Sequence, residues 1–158
     1  MLMSLYDARA DDTAKAQLVK RYDAWVEVTN ATSAERTQVT PGDRFDAPSL
    51  TADEISAVRA AMVTVGGIRS VLVGRKVMHY RSDRPLFVMM LRRGWLRSLP
   101  KEWVVRFAEA LQFQHEALLF ADSGEKAWLK DALEDGDALV VNRETALDHF
   151  RPFGGARP

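Results

Sequence analysis

The chain contains no cysteine. That single absence excludes disulfides, thiolate metal sites and cysteine nucleophiles, and it fits a reducing compartment. Histidine is scarce as well, with three in 158 residues. His79, His115 and His149 lie too far apart for a local metal motif, and His115-Glu116 is not followed by the second histidine of H-E-x-x-H. No G-x-x-x-x-G-K-[ST] phosphate loop occurs anywhere. No apolar run approaches the ~20 residues of a membrane helix. The start, MLMSLYDARADD, has neither the basic nor the apolar region of a signal peptide. These absences point to a cytoplasmic protein with no membrane partner, no metal and no cofactor.

What is present is ordinary in bulk and uneven in detail. Hydrophobic residues make up 47% and charged residues 28%, the profile of a globular chain able to bury a core. Arginine outnumbers lysine 16 to 6 and alanine is abundant, a usage common in bacteria with GC-rich genomes. The net charge is zero, yet residues 66–106 hold ten Lys or Arg against two Asp or Glu. Residues 1–65 hold seven against ten, and 107–158 five against ten. A basic middle between acidic flanks has three explanations. The basic segment docks on the acidic flanks, its arginines lie on a solvated face, or it meets an anionic partner.

Leu86–Leu91 is six consecutive apolar residues ending in Arg92-Arg93-Gly94. A short run of this kind reads as a strand buried on both faces. Further short apolar runs lie at 117–121 and 137–141. Residues 70–80 are rich in β-branched side chains and are expected to form a hairpin turning at Gly74-Arg75, or else one strand bulged at Gly74.

Helical spacing marks the remaining elements. Leu18, Tyr22, Trp25, Val26 and Thr29 form one face of a helix over 11–29. Thr51-Ala52-Asp53-Glu54 is a capping box opening a second helix that Gly66-Gly67 closes. Pro100 opens a third, carrying Trp103, Phe107, Ala110, Leu111 and Gln114 at helical spacing. Asp122 is a candidate cap for a fourth, closed by Gly136, and Asn142 for a last one carrying Ala146, Leu147 and Phe150.

The fold expected is α/β (or α+β), one domain with a mixed sheet of about five strands. These are the hairpin 70–80 and strands 85–91, 117–121 and 137–141, the last three parallel and adjacent. Residues 1–50 are expected as an N-terminal helical arm and polar linker, in which either 37–40 forms a short edge strand or the segment is a flexible tether for the arm. Residues 51–150 would be the core and 151–158 a disordered tail.

Parallel strands place their C-terminal ends at one edge, where open α/β sheets bind ligands. That edge would gather Arg92, Arg93, Ser123, Gly124, Asn142 and Arg143 into an anion site beside two helix N-termini. Arg75, Lys76, Arg81, Arg84, Trp95 and Arg97 extend the basic segment as candidate nucleic-acid contacts, since cations meet phosphates and exposed rings stack on bases. His115 is expected near a helix C-terminus and His79 on a strand surface.

Three functions remain in view. The first is a non-catalytic binding or adaptor protein whose anionic partner, nucleic acid or a phosphate-bearing ligand, meets segment 66–106. The second is a small enzyme acting on a phosphorylated or carboxylated metabolite at the strand-end edge. The third is a self-associating module using the 11–29 helix. The element order resembles that of restriction-type nuclease cores, but the acid-and-lysine set those need for Mg²⁺ is missing from the buried strand. No acid/base pair stands out, which ranks the enzyme second.

Overall fold

The computed structural model describes residues 8–94 and 99–143. The chain groups into two compact units: Met1–Val39 with His79–Arg81, and Thr40–Met78 with Ser82–Pro158. The expected last helix and the tail fall outside the described residues, as do Trp95 and Arg97. Among the described residues no helix is long and apolar enough to cross a membrane.

The first unit is built on α1, Ala8–Thr37. This helix runs eight residues past the expected end, and no strand forms at 37–40: Thr37 ends the helix and 38–40 are irregular. The run NATSAERT looks turn-rich, but its threonine hydroxyls are satisfied within the helix. Thr32 Oγ1 donates to Val28 O at 2.7 Å and Thr37 Oγ1 to Ser33 O at 2.8 Å. Near its C-terminus, Glu35 accepts the backbone N–H groups of His79 and Tyr80 at 2.6 and 2.9 Å. The ring Nδ1 of His79 lies 3.0 Å from the same carboxylate. Burial works to raise the Glu35 pKa, but these hydrogen bonds outweigh it and hold the carboxyl below its usual range.

The second unit is a five-stranded mixed sheet between helices: β1 (Phe45–Asp46), β2 (Ser70–Lys76), β3 (Leu86–Arg92), β4 (Glu116–Ala121) and β5 (Leu139–Asn142). The α/β class and the mixed sheet are as expected. Its wiring differs in two respects. First, residues 70–76 are one strand with no hairpin. Gly74 sits in unbroken register opposite Val88. Its missing side chain is required by packing: a Cβ there would come within 2.5 Å of Leu133 Cδ2 on α4 (Ala127–Asp135). Second, β5 does not lie beside β4. It pairs antiparallel with β2, on the side away from β3, sharing that side with the two-residue β1. β2 is therefore an interior strand, which accounts for its nearly complete burial.

Alternate residues divide the core. Val71, Val73, Phe87, Met89, Leu91 and Val141 pack with Val58, Ala61 and Met62 of α2 (Ala52–Val65) and Phe107 of α3 (Lys101–Ala110). Leu72, Leu86, Val88 and Met90 are buried on the opposite face, where α4 brings the fully buried Leu129 and Leu133. The capping box of α2 forms as expected. Glu54 N–H donates to Thr51 Oγ1 at 3.3 Å, and Thr51 N–H donates to the Glu54 carboxylate at 2.7 Å.

Candidate functional site

Strand direction places the site. β2 runs antiparallel to both β3 and β5, so β3 and β5 point the same way, and β4 is parallel to β3. The C-terminal ends of β3, β4 and β5 thus share one end of the sheet, although β5 reaches it from the far side of β2. In register, Arg92 lies opposite Ser70, and Ser70 lies opposite Asn142. Backbone hydrogen bonds extend the row by one residue. Arg69 N–H donates to Arg92 O at 2.7 Å, Arg143 N–H to Arg69 O at 3.0 Å, and Asp122 N–H to Leu91 O at 2.9 Å.

The result is an arginine edge. Arg69, Arg92, Arg93 and Arg143 stand at one end of three neighbouring strands, about 4.8 Å apart from one strand to the next, with Arg92 on the α4 face of the sheet and Arg93 on the α3 face. Arg69 escapes a reading of strand C-termini because it stands at the start of an antiparallel strand. Among the described residues the carboxylate engaged there is Asp122, whose Oδ2 lies 3.3 Å from Arg92 Nε. Asp122 is therefore an ion-pair partner, and no side-chain cap is made at the 3-10 turn Gly124–Lys126 that follows Ser123. Arg93 sits over the Trp103 ring, 4.6 Å from its centroid, a cation–π contact that helps to hold the guanidinium in place. Arg69, Asn142 and Arg143 are exposed. Among the described residues, Arg69 and Arg143 make no side-chain ion pair.

The basic segment does not form one continuous patch. Arg75, Lys76 and Arg84 lie toward the opposite end of β2 and β3, about 20 Å from Arg92 along a seven-residue strand. Two of them serve the fold. Arg75 Nη2 lies 3.2 Å from Asp46, and the buried Lys76 ammonium 2.9 Å from Asp43. Lys76 is thus withdrawn from the candidate nucleic-acid contacts, because its side chain is 2% exposed. Arg81 belongs to the first unit, where its carbonyl lies 3.5 Å from Arg36 Nη1.

A cleft of about 410 Å³ opens at this opposite end, lined by Thr51, Asp53, Glu54, Gln112, Gln114 and His115. His115 belongs to the turn before β4, not to a helix C-terminus. Its Nε2 lies 3.0 Å from Glu54 Oε1, and its ring packs beside Phe87 and Phe113. The N–H of Thr51 is the main reason the Glu54 carboxyl stays below its usual pKa, with burial opposing and the Thr51 hydroxyl and His115 assisting. This cleft carries acids where the other end carries arginines. Among the described residues no cluster of three or more His, Asp or Glu could hold a metal ion.

Comparison with protein-family models, curated proteins and solved structures finds no match to this chain.

Proposed function

We propose that this chain is a non-catalytic binding protein that engages a phosphate-bearing partner at the arginine end of its sheet. The observation that supports the reading is the placement of Arg69, Arg92, Arg93 and Arg143 at one end of the sheet, with Asp122 as the one carboxylate paired there among the described residues. Arginine offers a planar fork of donors matched to phosphate oxygens. Arg93 is pre-positioned on Trp103 and Arg92 by Asp122, so less side-chain freedom is lost on binding. A compact cluster of this kind suits a short run of up to four phosphate groups better than a long duplex track. A second copy of the chain, through α1, is the other partner proposed.

The test is a titration with a labelled single-stranded oligonucleotide and, separately, with inorganic pyrophosphate. Neutralising three or four phosphates gives a log K against log salt slope of about −2 to −3 for a single strand. The Arg69→Ala, Arg143→Ala double variant should flatten that slope by about 1.4, while Arg84→Ala leaves it unchanged. Pyrophosphate binding without oligonucleotide binding would identify a small phosphorylated ligand. Binding to neither probe, or a slope indifferent to the double variant, would refute the reading.

A further inference from the structure

The first unit leaves an apolar stripe open. On α1, Leu18, Val19, Tyr22, Trp25 and Val28 are 68, 58, 62, 63 and 49% exposed. Monomeric proteins rarely leave so continuous a patch uncovered. Leu18, Tyr22, Trp25, Thr29 and Thr32 recur at steps of four and three, the spacing of a helix-pairing seam. Threonine in such a seam looks polar, but Thr29 Oγ1 donates to Trp25 O at 2.8 Å and Thr32 Oγ1 to Val28 O at 2.7 Å. With the hydroxyls satisfied by their own helix, both residues can offer methyl groups. Tyr22 and Trp25 pair their rings, centroids 6.1 Å apart, at the middle of the stripe.

Two features name the occupant. The stripe is self-complementary about a point between residues 23 and 24: reversing the helix there sets Leu18 against Thr29, Val19 against Val28 and Tyr22 against Trp25. Charge follows the same symmetry with opposite sign near the centre: the reversal sets Lys20 against Glu27 and brings Arg21 within a turn of the partner's Asp23. An antiparallel copy of the same helix therefore meets each of these bases with an acid. We infer that two copies of this chain pair through α1, antiparallel, about a twofold axis passing between residues 23 and 24. The surface used is the same on both copies, as a closed two-fold contact requires.

The interface is of modest size, so the dimer should dissociate in the micromolar range and weaken with salt. Sedimentation equilibrium of the full chain, at concentrations up to the order of 100 µM, should return a dimer. Trp25→Glu, at an exposed position that the fold does not need, should raise the dimer dissociation constant at least tenfold. The orientation has its own readout, made clean by the absence of native cysteine. Spin labels on Ala14→Cys should lie about 29 Å apart in the dimer, from 19 residues at 1.5 Å each. The same separation is expected for Ser33→Cys. A parallel pair would bring like labels to about 10 Å. A monomeric mass throughout the range, a dimer indifferent to Trp25→Glu, or a short like-label distance would each overturn the inference.

Discussion

Asp43→Asn isolates the claim that the far end of the basic segment serves the fold. Lys76 is buried, and its ammonium lies 2.9 Å from Asp43 Oδ2. The same oxygen accepts the Thr40 N–H at 2.6 Å. Asparagine keeps a side-chain oxygen for Thr40 but removes the charge opposite Lys76. Breaking a buried pair from one side costs about 3–5 kcal/mol when both partners are fully buried. Asp43 is 19% exposed on its side chain, so solvent recovers part of that and about 2–3 kcal/mol is expected. For a chain of this size that is a fall in Tm of roughly 5–10 °C. Lys76→Met in the Asp43→Asn background should restore most of the loss, because an apolar replacement of similar length removes the buried charge. Urea unfolding of the wild type, both single variants and the double variant closes the cycle. A loss below about 0.5 kcal/mol for Asp43→Asn would mean that the ion pair does not hold Lys76, and the ammonium would return to the candidate partner contacts.

Gly74→Ala should destabilise by about 1–3 kcal/mol in denaturant unfolding, because the added methyl meets the fully buried Leu133 side chain; an unchanged midpoint would contradict the packing of α4 on β2. Glu54→Ala should cost stability near neutral pH through loss of the capping box. The folded pKa of Glu54 is lowered from an ordinary 4.5, so its contribution is fully present above 4.5 and fades as pH falls through the folded value. The gap between wild type and variant should therefore close in acid, and a gap that widens there would refute the assignment. Glu35→Ala should speed hydrogen exchange at the His79 and Tyr80 amides while leaving the amides of β2 and β3 protected; unchanged exchange at 79 and 80 would remove the carboxylate clamp.

The elements set by local chemistry were legible before the fold was seen. The capping box at Thr51 needs only residues three apart, and Leu86–Leu91 declares its burial by composition. Neighbour relations were not legible. Residues 139–142 run in the same direction as β3 and β4, as the alternating pattern implies, but which edge they join depends on the open side of β2, some seventy residues earlier. Gly74-Arg75 looks like a turn because glycine serves turns and close approach equally well. Here the reason for glycine lies on α4. Arg69 escaped notice for a related reason: its role at the edge depends on β2 being antiparallel, which no residue near it encodes. The shared end of β3, β4 and β5 follows from strand direction alone, although β5 lies across β2 and not beside β4. The positive charge of 66–106 divides between two places, because an antiparallel pair sends its two ends about 20 Å apart.

The arginine edge is the claim on which the functional account rests, and arginine side-chain NMR tests it most directly. Inorganic pyrophosphate is titrated into the full chain while the Nε–Hε signals are followed. The account predicts shifts that saturate at Arg69, Arg92, Arg93 and Arg143, with Arg75 and Arg84 unmoved. Shifts centred on Arg75 and Arg84, or no saturable shift at any of the four, would contradict it.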